Sequence, residues 1–248
     1  GTSTLTLTVA DAASVSAGVL VVGATDASTV AFTTGLSDAY SNLVNDAGAV
    51  QAGVTTVATA DDNVNIAVTD VIGSADTQNI TDLNALLAAT DGAVTATLNG
   101  NYAQLANITA TGLDTGTSSL TITVNDAITV ANGNTAIGLT DGAVTYGGGI
   151  SDTFGNLVDG AGAVSTNMGN VDAEDDDVNV EVTDAITSAS AQNITDLNAL
   201  IAATEGTVTA SVSGNIAELD GIVATDGETG TSTLTLTVAD AASVSAGA

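Results

Sequence analysis

Apolar and polar residues alternate in five short stretches, each closed by an aspartate. Leu5, Leu7 and Val9 alternate with threonine before Asp11, and Val64, Ile66 and Val68 stand in the same relation to Asp70. The pattern returns at Leu120, Ile122 and Val124 before Asp126, at Val178, Val180 and Val182 before Asp184, and at Leu234, Leu236 and Val238 before Asp240. A period of two with β-branched side chains predicts half-buried strands, apolar on one face and polar on the other. Elsewhere the period lengthens. Leu83, Leu86 and Leu87 share a helical face, with Thr81 as N-cap and Asp82 as first-turn acid, which predicts a helix over 81–89. A second strand is expected over 93–98 and a short helix around 101–107, with counterparts at 37–46, 151–159 and 215–221. In the alternate modules the helix position, 15–25 and 131–140, reads as loop.

These elements recur at nested intervals. Residues 1–18 return letter for letter at 230–247, an offset of 229. Within that interval the 24 residues from Gln78 match those from Gln192 at 18 positions, an offset of 114. The strand-closing aspartates follow one another at 59, 56, 58 and 56 residues, a module of about 57. The chain therefore divides into one unit over 1–115, a second over 116–229, and the start of a further copy of the first at 230–248, so that it reads as beginning within a repeat. Strands joined through helices predict parallel pairing. The expected fold is a β-rich repeat protein with short helices, an elongated parallel-strand solenoid. Tandem β-sandwich domains of about 115 residues are the alternative that the 114-residue interval also allows; the 57-residue sub-period and the helix signals favour the solenoid.

Composition narrows the functions. The 248 residues contain no Lys, Arg or His against 29 acids, a formal charge of −29, so no carboxylate can form an ion pair within the chain. Each must be solvated, accept backbone hydrogen bonds, or sit beside a cation from solution. Nucleic acid and anionic membrane surfaces, which are bound through basic side chains, are excluded as partners. With 44% apolar residues the chain is no disordered acidic tail and can bury a core. That core is aliphatic, since Phe32, Phe154, Tyr40, Tyr102 and Tyr146 are the only aromatics, and small side chains suit thin stacked layers. The apolar run at 17–24 is too short to span a bilayer, so no membrane insertion is expected within this segment. The absence of Cys and of trypsin-cleavable residues, with a single methionine at Met168, suits an extracellular or cell-surface location.

Catalytic chemistry has little to work with. Without His, Cys or Lys the usual activated nucleophiles are missing. The string Asp114-Thr115-Gly116-Thr117-Ser118 matches the motif of the aspartic proteases, but its counterpart reads Glu228-Thr229-Gly230-Thr231-Ser232 and lacks the second aspartate. A glycosidase would need one positioned pair of carboxylates, and aromatics for the sugar to stack on. The chain is therefore expected not to be an enzyme. A row of strand-end carboxylates one strand apart would repel, and Ca²⁺, which prefers oxygen donors, would relieve it. The candidate ligands are Asp11, Asp70, Asp126, Asp184 and Asp240, together with Asp61, Asp62, Asp172, Glu174, Asp175, Asp176 and Asp177. The faces Thr4-Thr6-Thr8, Thr121-Thr123 and Thr233-Thr235-Thr237 resemble ice-binding arrays, but Asn63, Asn65, Ala67, Asn179 and Glu181 interrupt them, and strand propensity accounts for them.

The stretches beginning Asn79-Ile80-Thr81-Asp82-Leu83-Asn84 and Leu120-Thr121-Ile122-Thr123-Val124-Asn125-Asp126 resemble the repeats of giant bacterial cell-surface proteins, notably those of cyanobacteria. The resemblance runs through both units. It implies a very long, extracellular, Ca²⁺-dependent surface layer, fibre or adhesin, whose partners are copies of itself and divalent cations, and it carries over no catalytic residue. A spacer stalk of a giant adhesin is the second expectation, behind a structural filament.

Overall fold

A computed structural model describes residues 6–24, 29–73, 76–109, 118–187, 190–223 and 232–239. It is mixed α/β, its described residues forming parallel-strand sheets and no closed barrel. Two compact units are present, Gly1–Val124 with Ala136–Val144, and Asn125–Thr135 with Thr145–Ala248.

The chain runs β1 (Thr6–Val9), α1 (Val15–Gly23), β2 (Thr29–Phe32), β3 (Leu36–Asp38), α2 (Tyr40–Leu43), α3 (Ala52–Ala60), β4 (Ile66–Ile72), α4 (Thr77–Leu87), β5 (Val94–Gly100), α5 (Tyr102–Leu105) and β6 (Ser119–Val124). It continues through α6 (Val130–Ile137), β7 (Val144–Thr145), β8 (Ile150–Asp152), α7 (Phe154–Leu157), α8 (Thr166–Glu174), β9 (Val180–Val182), α9 (Ala191–Ala203), β10 (Val208–Gly214), α10 (Ile216–Leu219) and β11 (Thr233–Val238). The sheet orders are β1-β2, β3-β4-β5-β6-β7 and β11-β10-β9-β8. Leu36 lies opposite Ile66, Ile66 opposite Val94 and Thr95 opposite Ser119, so successive strands are offset by 30, 28 and 24 residues. Ile150, Val180 and Val208, then Thr209 and Thr233, repeat the same three steps. One 57-residue module thus holds two strand-to-strand steps.

Antiparallel pairing, which a β-sandwich requires, occurs among the described residues only as the isolated bridges Val44 to Val50 and Val158 to Val164. Alternation settles which face is inside. In β5, Val94, Ala96 and Leu98 are buried while Thr95 and Thr97 are exposed, and β10 repeats this at Val208, Ala210 and Val212 against Thr209 and Ser211. Parallel sheets are usually covered on both faces; here one face is aliphatic core and the other a hydroxyl-bearing surface, with Thr97 beside Thr121 and Ser211 beside Thr235.

The helices depart from expectation in three places, one being that α3 and α8 lie where no helix is expected. The helix expected from Thr81 begins four residues earlier, at Thr77, because Asp76 accepts the Asn79 amide at 2.8 Å; Thr81 lies inside and donates its hydroxyl to the Thr77 carbonyl. The stretches read as loop, 15–25 and 131–140, contain α1 and α6. Their glycines and β-branched residues are weak helix formers, but tertiary packing overrides this. A Cβ at Gly18 would lie 2.9 Å from Val57 and 3.2 Å from Leu36, and one at Gly133 would lie 2.9 Å from Val171, so these glycines let the helices sit close against their neighbours.

Candidate functional site

Two of the short helices, α2 and α7, begin without a side-chain cap bond of their own. Ala39 precedes α2 and Thr153 precedes α7, and neither side chain accepts a helix amide. A helix start leaves backbone N–H groups unsatisfied and carries partial positive charge. The missing acceptor comes from a neighbouring segment: Asp70 in β4 accepts the Tyr40 amide at 2.6 Å, and Asp184, just past β9, accepts the Phe154 amide at 2.6 Å. The same device serves α1, where Asp38 accepts the Val15 amide at 3.0 Å, and α6, where Asp152 accepts the Val130 amide at 3.1 Å. Burial alone would raise the Asp38 carboxyl, but the Asn42 side chain and the Val15 and Ala39 amides outweigh it and hold Asp38 below the usual carboxylate range.

Three further pairs bind segments that sequence distance separates. Asp61 accepts the Phe32 amide at 2.7 Å and Asp175 the Tyr146 amide at 2.6 Å. Asp82, fully buried, accepts the Gly48 amide at 2.6 Å and the Gln78 side chain at 3.0 Å. Asp196 does the same with Gly162 at 2.7 Å and Gln192 at 2.9 Å. Thr90 donates to the Val64 carbonyl at 2.6 Å and accepts the Gly92 amide at 2.9 Å, and Thr204 repeats both bonds with Val178 and Gly206. Every one of these bonds recurs after 114 residues, Val15 and Val130 being the one pair displaced by 115. What the structure repeats is a set of polar side chains, each satisfying backbone groups on an adjoining segment.

This places the expected metal ligands. Asp70 and Asp184 cap helices, and Asp61 and Asp175 close the C-termini of α3 and α8 while holding amides. Asp172 and Glu174 lie in the last turn of α8, so the segment 172–177 is partly helix rather than loop. Asp62 accepts from the Asn63 side chain, and Asp11, Asp176 and Asp177 are exposed, whereas Asp126 is half-buried. Asp240 lies outside the described residues, as does Asp114 with its Thr-Gly-Thr neighbours. The strand-end acids do not stack strand upon strand: β4, which carries Asp70, and β6, which precedes Asp126, flank β5. Strand β5 between them carries no acid, so the close strand-on-strand repulsion of such a row does not arise.

Among the described residues no three acids converge to hold a metal ion. The segment 172–177 comes nearest. Burial raises Asp172, and the Asp176 charge adds to this; Asp172 Oδ1 is buried without a hydrogen-bond partner. Burial also raises Asp175, opposed by the Tyr146 amide and reinforced by Asp177 and Asp176. These residues fit Ca²⁺ in part: an orphaned carboxylate oxygen and crowded charge are there, but acid side chains do not assemble the six to eight oxygen ligands the ion takes.

A cleft of about 590 Å³ beside α1 and α3 is lined by Val15, Val19, Leu20, Asp38, Asn42 and Gln51. Its one acid, Asp38, is already held by three donors. No helix among the described residues is long and apolar enough to cross a membrane.

The fold and these bonds define a class, a mixed α/β protein whose parallel strands and aspartate–amide bonds between adjoining segments repeat. No family model, characterised protein or solved structure matches the chain.

Proposed function

We propose that the chain is a non-enzymatic structural segment of an extracellular filament, surface layer or fibre, built by tandem repetition in a parallel-strand solenoid. The observation that carries this is the recurrence of the amide-holding aspartates. Asp38, Asp61, Asp70 and Asp82 do in one unit what Asp152, Asp175, Asp184 and Asp196 do in the other. A catalytic or ligand-binding protein concentrates its polar chemistry at one place. Here it is distributed to join segments, as repeat stability built from neighbour interfaces requires. Divalent cations belong to the same reading, with residues 172–177 as the place where Ca²⁺ would relieve crowded charge.

Negative-stain microscopy of the native material separates this role from that of a spacer stalk in an adhesin. A multi-subunit helical fibre supports the filament; single threads ending in a distinct head favour the stalk. Excess chelator should lower the melting temperature or dissociate the fibre, and an unchanged melt would remove the cation from the proposal.

A further inference from the structure

The two units differ where α1 meets α3 in one and α6 meets α8 in the other. Position by position, α6 is α1 displaced by 115 residues and α8 is α3 displaced by 114. In the second unit the pair is tied by polar groups, the Asn170 side chain on α8 donating to Asn134 on α6 at 2.8 Å. The counterparts on α3 and α1 are Thr56 and Val19. Val19 has no polar side-chain atom, and the Thr56 hydroxyl turns back to the Ala52 carbonyl of its own helix at 2.9 Å. Leu20 stands where α6 has Thr135, and Gly53 where α8 has Asn167.

These exchanges leave the cleft of about 590 Å³ beside α1 and α3 open and largely aliphatic, in the size range of small-molecule sites. Val15, Val19 and Leu20 line it, Leu20 being 73% exposed. Gly53 adds no side chain to it, and a Cβ there would lie 2.5 Å from Val15 and 3.2 Å from Val19. The opening at Leu20 does not depend on what precedes α1, because Thr135, its counterpart, is exposed as well.

Asp38 lines the same cleft. Its Oδ1 accepts the Ala39 amide and the Asn42 side chain, and its Oδ2 the Val15 amide. An ionised carboxylate has about four acceptor positions, so one remains on Oδ2. The same three bonds hold Asp152 in the second unit, but Asp152 is buried at 7% exposure, whereas Asp38 is half-buried. The donors around Asp38 keep it ionised at neutral pH.

We propose that this cleft binds an aliphatic ammonium ion, its hydrocarbon chain along Val15, Val19 and Leu20 and its head against Asp38 Oδ2. The protein cannot supply that head itself: without Lys, Arg or His, neither this chain nor a second copy has a cationic side chain to offer. A cleft of this size takes a small molecule, whereas a protein partner covers about 800 Å². The charge of −29 raises the local concentration of organic cations around the site. The site stands or falls independently of the filament reading.

Titration of the whole chain with hexylammonium chloride, followed through its valine and leucine methyl resonances at about 0.15 M NaCl to screen diffuse attraction to the other acids, tests this. Saturable shifts are expected at Val15, Val19 and Leu20. Hexylammonium should bind about tenfold tighter than methylammonium, roughly the effect of two methylenes leaving water. Hexanol and hexanoate, which lack the cationic head, should bind more weakly. Val19→Asn with Leu20→Thr gives α1 the residues that α6 carries, and should abolish the preference for the longer chain. Gly53→Asn, the residue α8 carries, should block the cleft and weaken hexylammonium by a similar factor. Circular dichroism checks that the variants are folded; if neither folds, the comparison of the four ligands on the wild-type chain still decides.

Equal affinity for methylammonium and hexylammonium, with shifts spread over the whole chain, would mean a diffuse ion atmosphere and would overturn the proposal. So would hexanol binding as tightly as hexylammonium, or folded variants that keep wild-type affinity. Binding of a lysine-containing peptide without binding of hexylammonium would make the cleft a protein docking site and overturn the small-molecule assignment.

Discussion

At position 175 a single carboxylate meets two opposing demands. It accepts the Tyr146 amide at 2.6 Å in a buried setting, and it faces the carboxylates of Asp177 and Asp176, which with burial raise it above the ordinary aspartate range. Asparagine keeps an acceptor and removes the repulsion; alanine removes both and strands a buried amide. Asp175→Ala should therefore cost about 1–3 kcal/mol, several degrees in melting temperature, whereas Asp175→Asn should be neutral or stabilising at pH 7. Thermal melts of the two variants check this, and equal destabilisation by both would show that the charge itself is required. Asp172 gives a sharper test of cation binding. Its carboxyl is raised, so the folded state is penalised progressively as pH rises through the folded carboxyl's range. In excess chelator Asp172→Asn should raise the melting temperature at pH 7 and have no effect below about pH 3, where the unfolded carboxyl too is protonated. In millimolar Ca²⁺ the sign should reverse if the cation binds there.

At the scale of elements, strands were far more legible than the groups that join them. Alternation is a local property, so Val94 to Leu98 and Leu120 to Val124 could be placed from their own neighbours. Helices α1 and α6 could not, because what holds them is a close contact: Gly18 under Val57, and Gly133 under Val171. Helices α3 and α8 escaped notice for a related reason, their apolar contributions being just two buried residues each, Val54 with Val57 and Met168 with Val171. The aspartates are legible in the sequence as a periodic set, but not as amide acceptors, since their distant partners, 30 residues away for Asp70 and Tyr40, are visible only once strands are in register. One signal was available in advance: Ala39 stands where a capping side chain belongs. Close approach also fixes the turn before β5 and β10. A Cβ at Gly92 would come 2.5 Å from the Val64 carbonyl oxygen, and one at Gly206 2.3 Å from that of Val178, whereas Gly73 has nothing within 4 Å. Gly92→Ala and Gly206→Ala should each destabilise by about 1–3 kcal/mol through overpacking, while Gly73→Ala should be neutral or slightly stabilising. Urea denaturation of the three variants measures the difference, and a tolerated Gly92→Ala would show that the turn has room to shift.

For the molecule as a whole, a charge of −29 without one basic side chain sets the response to salt and pH. Carboxylates about 10 Å apart repel by roughly 0.4 kcal/mol in water, and physiological salt, with a Debye length of about 8 Å, screens much of this. A handful of such pairs amounts to a few kcal/mol, so the melting temperature should rise by about 5–10 °C between 10 mM and 1 M NaCl. Lowering the pH from 7 acts in the same direction at first, because repulsion falls and the penalty on the raised carboxyls of Asp172 and Asp175 disappears as they protonate. Asp38 and Asp159 work the other way. The Asn42 side chain and neighbouring amides hold the first low against its burial, and the Ala161 and Ala163 amides hold the second low, so their contributions are present above the unfolded carboxyl range and vanish as pH falls through the folded values. The two groups together predict a stability maximum on the acid side of neutrality, near about pH 5, with a decline below about pH 4 as Asp38 and Asp159 protonate. Melts from pH 3 to pH 8 in chelator test it. Stability that falls steadily on acidification from pH 7 would mean that the amide bonds outweigh self-repulsion throughout, and that the acidity of the chain is held by its backbone rather than relieved by ions.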